Sequence, residues 1–229
     1  MLWGICWSPF KPDAHLFSWI EESFVMTQDS KFAAASTALI IVDLQNDFLS
    51  PQGAYARGKT VSTEALLLPA RVAPVAHALK SQGGYVAASQ FTLWPDAKGE
   101  PMVSPHLLEK RPFLRKGDFA PGSLGQDNVP ELKNCVDLVV CKVAYSAFFN
   151  TQLDWVLRKA GIQTVVVCGI VTNGGVASTA RDAHLRDYSV VVLSDGSAAF
   201  SDALHQASLA DLASIGQVIT CDAFVSSLA

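Results

Sequence analysis

The chain has 229 residues, 50% of them apolar and 17% charged, with a formal net charge of −4. That length allows one domain with a substantial core, and that composition excludes a disordered chain. Scattered basic residues give no footprint for nucleic acid, and no apolar run approaches the ~20 residues of a membrane span. The five cysteines, Cys6, Cys135, Cys141, Cys168 and Cys221, form no CxxC pair. An odd count at irregular spacing argues against a disulfide framework and for a reducing compartment.

Residues 1–31 are read as an extension to a domain spanning 32–229. They carry Trp3, Trp7, Phe10, Phe17, Trp19 and Phe24, and Asp13 could cap a short helix with Leu16, Phe17, Ile20 and Phe24 on one face. Neither a cationic leader nor a small-residue cleavage site is present, so a cytoplasmic protein is expected, with this segment packed on the domain or on a neighbouring subunit.

From Ala38 the pattern alternates between strand and helix. Ala38–Asp43 is a continuous apolar run ending in a carboxylate, as for a strand buried on both faces. Glu64–Gln82 predicts a helix stopped by Gly83 and Gly84, and Tyr85–Gln90 a second strand. A long Pro- and Gly-containing loop from Phe91 to about Pro130 is expected to build a substrate wall. Leu138–Lys142 is a third strand, Asn150–Ala160 a helix, Thr164–Gly169 a fourth strand, and about Gly175–Asp187 a helix. Ser189–Ser194, Asp202–Ile215 and Gln217–Cys221 supply strand, helix and strand. The expectation is a three-layer α/β/α, Rossmann-like domain with a six-stranded, mainly parallel sheet.

In such sheets, sites form beyond the carboxyl ends of strands. Asp43, Lys142 and the Thr172–Gly175 turn all fall at such ends. Taken singly, an Asp after a strand is more often a cap, and a Lys at a strand end is more often solvated. Their convergence on one edge points to a site. Gln90 ends the second strand and joins them by the same logic. Trp94, Arg111, Arg115 and Lys116 lie in the long loop, where an aromatic cover and cations could meet an anionic substrate; the competing reading is packing and solubility.

Four blocks then carry a family resemblance. Asp43-Leu44-Gln45-Asn46-Asp47-Phe48 resembles the D-x-Q-N-D-F opening of isochorismatase-like cysteine hydrolases. Phe119-Ala120-Pro121-Gly122-Ser123, with Val129-Pro130-Glu131-Leu132 after it, resembles their mid-chain turn, and Lys142–Phe148 resembles K-x-x-x-S-A-F. Thr172-Asn173-Gly174-Gly175-Val176 resembles the nucleophile loop T-N-x-C-V, with glycine where the family carries its cysteine. The resemblance covers roughly Thr37 to the C-terminus. It implies that Asp43 and Lys142 form an acid–base pair and that Gly175 occupies the nucleophile position. It places Val171, Thr172, Asn173, Gly174 and Phe148 at the substrate, with a cis peptide flanked by Val171 and Thr172. It also implies a homo-oligomer, a dimer or larger.

The thiol route to an acyl intermediate is closed without sulfur at 175. The isochorismatases of siderophore and phenazine pathways also carry glycine there. Their vinyl-ether substrate needs an acid to protonate carbon, followed by water, and Asp43 near an apolar wall could retain that proton. The first expectation is therefore hydrolysis of isochorismate to pyruvate and 2,3-dihydroxy-2,3-dihydrobenzoate. The second is an amide or imide hydrolase using activated water, because Thr172-Asn173 resembles the amidase side of the family, whereas siderophore-type isochorismatases usually carry an aromatic residue and a histidine in this turn. The third is a non-catalytic relative that binds a small anion. No cofactor is expected, and no metal: Ser50-Pro51-Gln52-Gly53 offers none of the ligands of the zinc-binding D-x-H element, and His77, His184 and His205 fall in helices at no common metal spacing.

Overall fold

The computed structural model describes residues 31–229; the expectations for the N-terminal extension lie outside the described residues. β1 (Thr37–Val42) is buried along its whole length. Leu39 and Ile41 enter one apolar cluster while Ala38, Ile40 and Val42 enter another, so the alternation of the strand feeds two cores at once. Each such side chain contributes about 1.5–3 kcal/mol by leaving water.

Three helices follow β1: the short α1 (Asn46–Leu49) and α2 (Ala54–Arg57) and the long α3 (Thr63–Ser81). The Ser62 hydroxyl caps α3 by accepting from the Ala65 amide, and Gly83 leaves it with φ +87°, the left-handed conformation that glycine adopts without penalty. Ala65, Leu68, Val72, Val75, Ala76 and Leu79 recur at helical spacing and pack on the first core.

β2 (Tyr85–Phe91), β3 (Leu138–Lys142), β4 (Thr164–Ile170), β5 (Ser189–Ala198) and β6 (Gln217–Ile219) complete a six-stranded sheet in the order β3-β2-β1-β4-β5-β6. Every pairing is parallel. α4 (Pro105–Lys110), α5 (Leu153–Lys159), α6 (Ala177–His184), α7 (Asp202–Leu212) and α8 (Cys221–Ser226) are the remaining helices among the described residues. α3 and α8 supply Phe224 and the α3 face to the first core, and α5, α6 and α7 line the second, which gives the expected three layers.

Boundaries differ where tertiary pairing overrides local signal. β5 continues to Ala198 through Ser194-Asp195-Gly196, which reads as a turn, because a register shift between Val167 and Gly169 lets Ser197 and Ala198 pair with Gly169 and Ile170. The last strand stops at Ile219, since the Thr220 hydroxyl accepts from the Ala223 amide and starts α8 at Cys221. The helix expected from Gly175 opens as a π-helical turn over Thr172–Val176 before α6 begins. No helix among the described residues is long and apolar enough to cross a membrane.

The chain order reverses between β1 and β4, so the crevice of the sheet opens beyond their carboxyl ends. The strand registers bring Val42, Ser89 and Gly169 level there.

Candidate active site

Asp43 leaves β1 with φ +55°, a left-handed conformation that aspartate tolerates better than most residues. Its carboxylate is buried together with the ammonium of its partner: Oδ2 lies 2.7 Å from Lys142 Nζ, and the Asp43 and Lys142 side chains are 7% and 1% exposed. Oδ1 accepts from the Ser89 hydroxyl at 2.8 Å. Lys142 Nζ also donates to the carbonyls of Ala144 at 2.9 Å and Tyr145 at 3.0 Å. Its three donors are therefore filled within the protein, so the ammonium orients Asp43 and supplies charge rather than a hydrogen bond to substrate. Burial pushes the Asp43 carboxyl above its ordinary value, and the Lys142 charge and the Ser89 hydrogen bond offset only part of that rise.

The turn after β4 lies across from this pair. A cis peptide joins Ile170 to Val171, one residue earlier than the expected position between Val171 and Thr172. A Cβ built on Gly175 would sit 3.5 Å from Asp43 Oδ2, 2.8 Å from Val42 Cγ1 and 3.0 Å from the Ile170 carbonyl oxygen. The backbone at 175 thus runs close against the carboxylate, with no side chain between them.

The rest of the opening block works as a staple for the cavity wall. Gln45 donates to the carbonyls of Phe91 and Gln126 and accepts from the Phe91 amide. Asp47 accepts from the amides of Ala54 and Phe119, and the Asn46 amide group donates to the Leu124 carbonyl. These bonds tie the segments after β1 and β2 to the mid-chain turn. They hold a third apolar cluster, built from Ala54, Tyr55, Leu93, Leu114 and Phe119, beside the carboxylate. Between that cluster and the β3 end lies a cavity of about 260 Å³. Asp43, Lys142, Arg111, Tyr55, Phe200 and Val171 are on its lining.

The structure brings Asp43, Lys142, Arg111, Val171 and Gly175 together and separates the remaining expected residues from them. Ser89 and Phe91 face the site, so strand alternation turns Gln90 to the opposite face, where it is buried. Trp94 is 47% exposed and off the cavity lining, because the loop folds Trp94 back on Met102 through a backbone hydrogen bond. Phe148 packs in the second core, its ring 6.0 Å from that of Tyr188 and beneath the Arg186 guanidinium. Thr172 is buried behind the turn with Oγ1 2.8 Å from His205 Nδ1, and Asn173 faces outward. Gly174 is packed against Val171 and the Tyr145 ring rather than on the lining. Arg115 and Lys116 are exposed, with Lys116 Nζ held by the Lys98 carbonyl.

Sequence reasoning missed Ser89, Tyr55 and Phe200. Ser89 and Gln90 are adjacent polar residues near the end of β2, and the pairing of β2 with β1 is what selects Ser89. Phe200 follows the end of β5 at Ala198, beyond the Ser194 at which the strand was expected to stop. Tyr55 carried no signal of its own. Among the described residues no group of three or more His, Cys, Asp or Glu side chains is arranged to hold a metal ion.

A doubly covered parallel sheet with a buried carboxylate–ammonium pair at its switch point is an α/β protein with a candidate catalytic site at the carboxyl edge of its sheet. The comparisons specify it further. The isochorismatase domain family matches residues 37–223, and the chain belongs to that family. It is 35% identical over 212 residues to the ureidoacrylate amidohydrolase RutB of Serratia proteamaculans, covering 86% of this chain and 85% of that one. Among solved structures it resembles a cysteine hydrolase from Pseudomonas syringae pv. phaseolicola, with TM-score 0.74 and 26% identity over 86% of this chain and 94% of that one. It also resembles the N-carbamoylsarcosine amidase of Thermoplasma acidophilum, with TM-score 0.65 and 26% identity over 82% and 97% of the two chains.

Proposed function

We propose that this hydrolase cleaves a C–N bond, of an amide or ureide, in a small carboxylate substrate, with water as the nucleophile. The observation that carries the reading is the buried Asp43 carboxylate set 3.5 Å from the Cβ position of a residue that has no side chain. A water within hydrogen-bond reach of Asp43 is then the nucleophile at hand. Asp43 takes a proton from that water as the hydroxyl oxygen bonds to the carbonyl carbon, and returns the proton to the departing nitrogen as the C–N bond breaks. A positioned base of this kind contributes roughly 10²–10⁴ in rate. Burial raises its proton affinity and so strengthens it as a base. Two of the relatives reported above are named as an amidohydrolase and an amidase, and this reverses the order in which the sequence alone ranked the reactions.

Vinyl-ether hydrolysis of isochorismate is the second reading. The same glycine favours it, because a carboxylic acid that keeps its proton can act on carbon with no nucleophile at 175. One experiment separates the two. Purified protein is given 3-ureidoacrylate and isochorismate in parallel, and ammonia and pyruvate are followed by coupled dehydrogenases beside an Asp43→Ala control. Ammonia that vanishes in the control is the expected result. Pyruvate without ammonia would transfer the assignment to the ether reaction, and silence on both substrates from folded protein would leave the anion-binding reading.

A further inference from the structure

The wall facing the Asp43–Lys142 pair holds a cation without a counter-ion. Arg111 is partly buried on the cavity lining and takes part in none of the ion pairs among the described residues. Its position is fixed from two sides. The backbone ends α4, with the Arg111 amide donating to the Leu107 carbonyl, and Nε donates to the Tyr55 hydroxyl oxygen at 2.8 Å. A further bond runs from Nη1 to the Lys110 carbonyl at 3.2 Å. A guanidinium has five N–H donors, so three remain for a ligand.

Tyr55 complements it. Its oxygen accepts from Arg111, and no acceptor for its own O–H is found among the described residues, which leaves that proton to be donated into the cavity. Burial pushes the phenol above its ordinary value, against a smaller opposing effect of Arg111, so the group stays protonated at neutral pH. The ring is held rigidly: Phe200 stacks on it at 5.6 Å and 10°, and Phe113 meets it edge-on at 5.1 Å. The Arg111 guanidinium carbon stands 5.8 Å from the Tyr55 ring centre and 5.9 Å from that of Phe200. Apolar walls lower the local dielectric and strengthen any contact with an anion.

We propose that Arg111 and Tyr55 together form an anion subsite that takes the carboxylate of a small, flat, unsaturated substrate. Arg111 supplies the charge and a fork of donors, and Tyr55 adds a hydrogen bond from its O–H. Phe200 and the neighbouring aromatic rings accept the planar body of the molecule. The reacting carbonyl at its other end then reaches Asp43. A cavity of about 260 Å³ is at the small end of ligand sites, which run roughly 300–1,000 Å³, and it suits a short substrate. The orientation of the substrate rests on the hydrolase reading above; the recognition of the carboxylate does not.

The test is a binding comparison between crotonate and (E)-3-penten-2-one, which share shape, differ by one carboxylate and carry no C–N bond to cleave. Titration calorimetry on the full chain should show crotonate bound about tenfold or more tightly than the ketone, as for loss of one charge-assisted contact. Arg111→Met should erase that preference. Tyr55→Phe, which keeps the ring, should weaken crotonate about tenfold while leaving the ketone unchanged. Asp43→Ala should keep the preference, because Arg111 and Tyr55, and not Asp43, supply the donors to the carboxylate. Equal binding of the two probes by the wild type, or a preference that survives Arg111→Met, would overturn the subsite. Absence of ammonia release with the preference intact would remove the C–N reading and leave the subsite standing.

Discussion

Replacing Asp43 by Asn takes one charge from a pair that the fold has removed from water. Lys142 would remain 1% exposed, still bonded to the Ala144 and Tyr145 carbonyls but without its carboxylate at 2.7 Å. A buried charge stripped of its partner costs about 3–5 kcal/mol. For a domain of this size each kcal/mol lowers Tm by roughly 2–4 °C, so the variant should melt about 6–20 °C below wild type. Adding Lys142→Met removes the stranded ammonium. The two carbonyls lose their donor, at roughly 1 kcal/mol each, yet the double variant should be more stable than Asp43→Asn alone. Thermal unfolding of the four proteins at pH 7, followed by circular dichroism, measures the cycle. A double variant that falls by the sum of the single losses would refute the view that Asp43 and Lys142 compensate one another in the core. A double variant that still hydrolysed substrate would refute their place in the chemistry.

The pH profile discriminates between the two reactions. Water activation needs the ionised Asp43, so kcat/KM should rise with pH through a limb above the ordinary carboxylate value of 3.8, whereas carbon protonation needs the neutral acid and would give a falling limb over the same range. Stability shares the sign of that shift: an acid whose folded value is raised holds its proton in the native state first, so the contribution of Asp43 declines as pH rises through that value. Ser89→Ala removes the hydroxyl that donates to the carboxylate at 2.8 Å and should move the limb to higher pH, with a loss of about 1 kcal/mol in stability by denaturant titration. Gly169→Ala should destabilise far more than Gly83→Ala in the same assay. Both have positive φ, but a Cβ at 169 would stand 2.1 Å from the Val42 carbonyl oxygen, while one at 83 meets nothing within 4 Å; equal losses would show that backbone conformation alone sets the cost.

Elements with one dominant local signal were legible in the sequence. β1 and β4 are continuous apolar runs after their opening threonines, and their buried faces admit no alternative; α3 carries both an amphipathic stripe and a glycine stop. The carboxylate and the lysine were legible too, because strand ends in a parallel sheet point to one edge. Side chains whose place depends on a neighbouring strand or loop were not. Gln90 and Ser89 differ by one step of the strand period, and only the pairing of β2 with β1 decides which of them reaches Asp43. Trp94 and Arg111 sit in the same loop with similar claims, and it is the bond from Arg111 Nε to the Tyr55 hydroxyl that holds Arg111 on the cavity, while the bond from the Met102 amide folds Trp94 away from it.

Gly175 changes what the buried pair is asked to do. A thiol at this position would draw its proton off to Asp43 before any bond to substrate formed, and the carboxylate would serve the sulfur. With only backbone at 175, the proposed reaction assigns the first proton movement, from water, to Asp43 itself. Its environment suits that burden. Burial raises the proton affinity of the carboxyl, and the Lys142 ammonium and the Ser89 hydroxyl return part of its acidity. A group that must take a proton and give it back in one turnover works best between those extremes. Lys142 reaches this balance while all three of its donors are tied to protein oxygens, so it tunes Asp43 without competing for the substrate. The anionic end of the substrate must then find its cation elsewhere in the cavity, and Arg111 is the half-buried cation on the lining that has no carboxylate of its own among the described residues.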